Sequence, residues 1–162
     1  MIAATRLSLA LLLSALVAGT VTGVEAPLDL ASLGGDWQGA GSFARGTDEP
    51  GRIRCNISIS DTARGTTLVE GRCATAEGSD VFGLEVSVGE GGQISAQNRM
   101  DPPGNLPALL EGTLADGVLV LQGEGIAALE MRLDDGALTL AIVSGVETRP
   151  GRLDVRLTRA AP

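Results

Sequence analysis

From residue 109 to residue 144 the sequence "LLEGTLADGVLVLQGEGIAALEMRLDDGALTLAIVS" alternates apolar and polar or small side chains with a period close to two, interrupted by two Asp-Gly steps. A strand sends successive side chains to opposite faces, whereas an amphipathic helix repeats every 3.6 residues, so this stretch is read as strands. Asp-Gly is a favoured two-residue hairpin turn. With Asp116-Gly117 as one turn, Leu114 stands opposite Leu119 and Gly112 opposite Leu121. With Asp135-Gly136 as the other, Leu133 stands opposite Leu138, Met131 opposite Leu140 and Leu129 opposite Ile142. Apolar residues oppose apolar residues in both hairpins, as a sheet with one buried face requires.

The same grammar covers the chain beyond residue 34. Pairing Cys55 with Cys73 puts Ile57 opposite Gly71 and Ile59 opposite Val69 around a turn at "TARGT", with Asn56–Arg72 and Ser58–Glu70 on a polar side. "VFGLEVSV" and "QISAQNRM" pair across "GEGG", and "GRLDVRLTR" alternates Leu153, Val155 and Leu157 with Arg152, Asp154 and Arg156. The expectation is an all-β fold: an antiparallel up-and-down meander of about eight to ten strands, closed into a small barrel to bury its apolar face and remove its edges. Two cysteines in an exported chain are most simply a disulfide, Cys55–Cys73. One connection is irregular: "RMDPPGNLP" carries three prolines. Its residues Asp101, Pro102, Pro103, Gly104 and Asn105 are the candidate ligand or partner loop, because long irregular loops on rigid scaffolds often carry function.

The only tryptophan lies in "GGDWQGAG". Parity puts Trp37, Gly39, Gly41 and Phe43 on one face, where the glycines leave room beside the ring and let the strand bend. "LGGDW" resembles the G-x-W opening of the calycin barrels, the lipocalin and avidin-like group. The resemblance implies that Trp37, with Gly35 before it, plugs one barrel end and that Arg159, of inward parity in the last strand, packs over the indole. The chain lacks the T-D-Y signature of lipocalins and the aromatic lining of avidin-type sites. "RCNISISDTARGTTLVEGRC" is similar to the disulfide hairpin of small bacterial periplasmic metalloproteinase inhibitors, which implies an extended N-terminal trunk at residues 27–34.

Function is constrained mainly by exclusion. Residues 1–26 read as a secretory signal peptide, with Arg6 ahead of an apolar run and a cut between residues 19 and 26. Residues 27–162 are then a single β-barrel domain, periplasmic or secreted, with no lipid-anchoring cysteine and no transmembrane segment. A formal charge of −8 argues against nucleic acid as a partner. There is no histidine or tyrosine, and every basic residue is arginine, so the usual general bases are missing and no enzymatic activity is expected. Asp61, Asp116, Asp134 and Asp135 fall at turns, where aspartate is favoured for local hydrogen bonding. Neither they nor Asp48 and Glu49 form a calcium loop, so no metal or cofactor is expected.

The inward set, including Ile57, Ile59, Val69, Leu84, Val86, Leu110, Leu121, Met131, Leu140 and Val155, alternates with glycines. That pattern fits either a filled core or a glycine-lined space for an apolar ligand. The expected function is therefore non-enzymatic binding, of a small apolar ligand inside the barrel or of an envelope or secreted protein at its rim. The alternatives are a proteinase inhibitor acting through its N-terminal segment and a structural envelope protein.

Overall fold

The computed structural model describes residues 29–161 except Pro103 and residues 146–149, with Ala127 described by its backbone alone. The expected signal peptide lies outside the described residues. Ten strands follow in chain order: β1 Gly35–Arg45, β2 Gly51–Asp61, β3 Thr67–Ala74, β4 Ser79–Val88, β5 Gln93–Asn98, β6 Leu109–Ala115, β7 Val118–Gly123, β8 Ile126–Asp134, β9 Ala137–Ser144 and β10 Gly151–Arg159. Each pairs with its sequence neighbours, and β10 returns to β1, so the antiparallel sheet closes into a barrel. Closure leaves no strand edge unpaired. Ten is two more than the eight strands of lipocalin and streptavidin barrels, and bore widens with strand number.

The expected registers are present. Leu114 pairs with Leu119 and Gly112 with Leu121; Leu133 pairs with Leu138 and Met131 with Leu140. Cys55 pairs with Cys73, Ile57 with Gly71 and Ile59 with Val69. Both Asp-Gly turns have positive φ at their two central residues, 51° and 75° at Asp116 and Gly117, 49° and 75° at Asp135 and Gly136. That conformation matches the right-handed twist of the flanking strands.

Inward side chains form one apolar cluster that includes Trp37, Leu84, Leu110, Leu121, Leu138 and Leu157. Arg152, Arg156 and Asn56 face out and are exposed. Arg152 ion-pairs with Asp154 at 2.7 Å. The hydrogen bond and charge of that carboxylate hold the guanidinium above its ordinary pKa. Apolar inside and polar outside is the reverse of a membrane-spanning barrel.

The glycines of β1 act differently from the expectation. A Cβ on Gly39 would run into the Arg156 carbonyl, and one on Gly41 into the Asp154 carbonyl. The space is filled by the backbone of β10 and not by the indole, so these glycines let two coiling strands approach closely where the barrel closes. Room for a ring is instead made by Gly71, whose absent Cβ would lie 2.5 Å from Phe82.

Residues 30–33 also depart from the extended trunk. Asp29 accepts a bond from the Ala31 amide at 3.1 Å and caps a 3-10 turn over Leu30–Leu33. Three residues per turn align positions i and i+3, and Leu30 and Leu33 are both buried in the barrel core. Apolar burial of two leucines outweighs the solvation of a free arm, at roughly 1.5–3 kcal/mol per side chain.

Candidate functional site

One end of the barrel is sealed. Trp37 is 1% exposed, and its indole N–H donates to the Leu33 carbonyl at 2.8 Å. Arg159 lies over the ring, its guanidinium carbon 4.6 Å from the centroid. It also donates to the Ser32 carbonyl at 2.7 Å and to the Gly34 carbonyl. One guanidinium thus satisfies two carbonyls of the 3-10 segment while covering an aromatic face, a contact worth roughly 0.5–2 kcal/mol.

Gly35 completes this arrangement. Its φ is +126°, and a Cβ there would lie 2.7 Å from the Arg159 Nη1. Gly35→Ala is therefore expected to cost about 1–3 kcal/mol and to loosen Arg159 from Trp37. The denaturant midpoint and the Trp37 emission maximum check this. An unchanged midpoint would mean the seal does not need the glycine.

Above the seal the wall residues stay closely covered, with Ile57, Leu84 and Leu121 each less than 5% exposed, and the free space widens toward the other end. An open cavity of about 810 Å³, mouth included, is bordered on its inner side by Ile57, Ile59, Val69, Leu84, Leu121 and Met131 among others. That volume falls within the range of ligand pockets for drug-sized molecules. It opens at the other end, where Arg45, Glu77, Asp80 and Asn105 border it. All four are exposed, so the charge sits at the mouth. Arg45 stacks over Phe43 there, 5.3 Å from the ring centroid.

The mouth wall is partly built by the irregular loop. β5 has six residues and ends at Asn98, and of the described residues that follow, Asn105 and Leu106 border the cavity. The loop is tied down by Arg99 N–H to the Gly83 carbonyl at 2.8 Å and by Asn98 N–H to the Ala108 carbonyl at 3.0 Å. The Asn98 side-chain amide donates to the Leu106 carbonyl at 2.9 Å. Of the candidate loop residues, Asn105 borders the cavity, joined by Leu106. Asp101, Pro102 and Gly104 are exposed outside it, and Pro103 lies outside the described residues.

The disulfide faces inward. Cys55 and Cys73 are bonded with their Cα atoms 4.1 Å apart, and Cys73 borders the cavity. Among the lining residues that sequence reasoning missed are Leu30, Leu33 and Thr67. Leu30 and Leu33 were readable from an Asp cap followed by L-x-x-L, and Thr67 from sharing the parity of Val69. Compared with known proteins, the chain matches no family model and no curated protein.

Proposed function

We propose that this chain is a non-enzymatic binding protein, exported to the periplasm or beyond the cell, that holds a small apolar ligand inside a calycin-like barrel. The observation that carries this reading is the open, apolar-lined cavity with one sealed end. Hydrophobic burial supplies the affinity, roughly 25 cal/mol for each Å² of apolar surface removed from water. The charged mouth keeps the entrance wetted. The G-x-W opening and the Arg159 cover support the calycin-like assignment; the strand count of ten separates it from the eight-stranded members. The inhibitor reading requires residues 27–34 as a free arm, and the burial of Leu30 and Leu33 counts against it.

The test is titration with N-phenyl-1-naphthylamine, a neutral apolar fluorophore, using the protein and a variant carrying Val69→Trp and Leu129→Phe. Both residues line the cavity, on strands five apart around the ring of ten. The protein is expected to bind one probe, and the variant to bind it about tenfold more weakly or worse while its unfolding midpoint holds or rises. Enlarging side chains in a filled core costs about 1–3 kcal/mol each, whereas growth into open space does not. A fall in midpoint with no probe binding by either protein would mean a closed-packed barrel and would end this reading.

A further inference from the structure

Polar side chains border the cavity at its mouth, Thr75, Ser79, Asn105 and Ser144 among them, and one, Thr67, lies at the opposite end. Thr67 is the first residue of β3, at the sealed end of the barrel, paired across the ladder with Val86. It is 7% exposed, the only polar residue among the buried ones described, and it lines the cavity. Its hydroxyl makes no hydrogen bond within the described residues, yet none of their enclosed polar side-chain atoms lacks a partner. The hydroxyl therefore keeps some access, on an inward side chain that lines the cavity. It is a donor and an acceptor at the sealed end, away from the polar mouth.

We propose that Thr67 is the polar anchor of the binding site, and that the ligand is an uncharged apolar molecule carrying one hydrogen-bonding oxygen, an alcohol or ketone, which enters oxygen first. This rests on the apolar-binding reading above and specifies its ligand. In the empty, hydrated barrel water satisfies the threonine. An apolar guest that displaces this water leaves the hydroxyl unpaired unless it brings an oxygen of its own, and an unpaired buried hydroxyl is costly.

Charge argues for the neutral class. Of the ionisable side chains bordering the cavity, Arg45, Glu77 and Asp80 all stand exposed at the mouth; Arg64, three residues before Thr67, is exposed, pairs with Glu85 and does not border the cavity. A carboxylate entering head first would be buried without a counter-ion. A carboxylate entering tail first would leave its head beside two acidic side chains and one arginine, in a protein of net charge −8.

The experiment is displacement of N-phenyl-1-naphthylamine by decanol, decane and decanoate, with the unaltered protein and with the Thr67→Val, Thr67→Ser and Arg45→Gln variants. Valine keeps the shape of threonine and removes the hydroxyl; serine keeps the hydroxyl. The expected result is that decanol binds more tightly than decanoate, weakens about tenfold in Thr67→Val, and is held in Thr67→Ser. Decane should bind Thr67→Val more tightly than it binds the unaltered protein, because no hydroxyl is left unpaired, and the fluorophore should bind it at least as well. Equal decanol binding by Thr67→Val would overturn the anchor. So would decanoate binding best and weakening in Arg45→Gln, which would place a charged head at the mouth. Failure of the fluorophore itself to bind would instead remove the underlying reading.

Discussion

Trp37→Ala is expected to destabilise the protein by about 4–5 kcal/mol, at the upper end for large-to-small core substitutions. Three losses combine at one residue. The indole is 1% exposed and sits where β1, β2 and β10 meet, so its removal leaves a void that the closed sheet cannot collapse around. The Leu33 carbonyl loses the donor at 2.8 Å. The Arg159 guanidinium loses the ring beneath it. Urea unfolding followed by far-ultraviolet circular dichroism measures the total, since the variant has no tryptophan to report it.

Two further variants apportion the loss. Trp37→Phe keeps a ring for Arg159 and removes the N–H donor, so it should cost roughly 1–3 kcal/mol beyond the lost ring area. Arg159→Met keeps an apolar stem and removes the charge. The double-mutant cycle between Trp37→Ala and Arg159→Met should give a coupling of roughly 0.5–2 kcal/mol. A cost below about 1.5 kcal/mol for Trp37→Ala would show that the Leu30–Leu33 turn seals the end by itself.

This seal was the part of the site most legible in the sequence. Strand parity puts Trp37 and Arg159 on the inner face, closure of a meander brings the first and last strands together, and the G-x-W resemblance singles these two residues out as partners. The structure pairs these two residues directly. The hairpins were legible for the same reason: Asp-Gly turns fix register locally, and a slip of one residue would turn every apolar side chain outward.

What the sequence did not disclose depends on distances across the barrel. Gly39 and Gly41 read as space for an indole, but what approaches them is the backbone of β10, more than a hundred residues away. That approach follows from the coiling of the closed sheet, not from neighbouring residues. Likewise the inward list beginning Ile57, Ile59 and Val69 is the same for a packed core as for a hollow one. The difference lies in bore, which is set by strand number and tilt. Thr67 illustrates a residue whose position was predictable and whose meaning was not. Its parity puts it inside, but only the absence of a hydrogen-bond partner among the described residues makes it a candidate anchor.

The disulfide separates what holds the hairpin in register from what holds the protein folded. Replacing both cysteines, Cys55→Ala with Cys73→Ala, is expected to lower stability by about 3 kcal/mol, the loop-entropy value for a cross-link of this span. The sequence separation is 18 residues. Register should not change, because Ile57–Gly71 and Ile59–Val69 pair next to the bridge with their side chains in the core. The variant should therefore show an unaltered circular dichroism spectrum and a lower urea midpoint. Burial adds a kinetic consequence. With Cys55 1% and Cys73 9% exposed, and the bond on the inner face of the wall, a thiol reductant must either pass the mouth to reach Cys73 or wait for the barrel to unfold. Native-state reduction by dithiothreitol should be slow and should accelerate with urea in parallel with unfolding. Rapid reduction in the absence of denaturant would mean that reductant enters through the mouth and reaches Cys73, which borders the cavity. In that case the interior would be accessible to polar solutes, and prior filling with N-phenyl-1-naphthylamine should slow the reduction in proportion to occupancy.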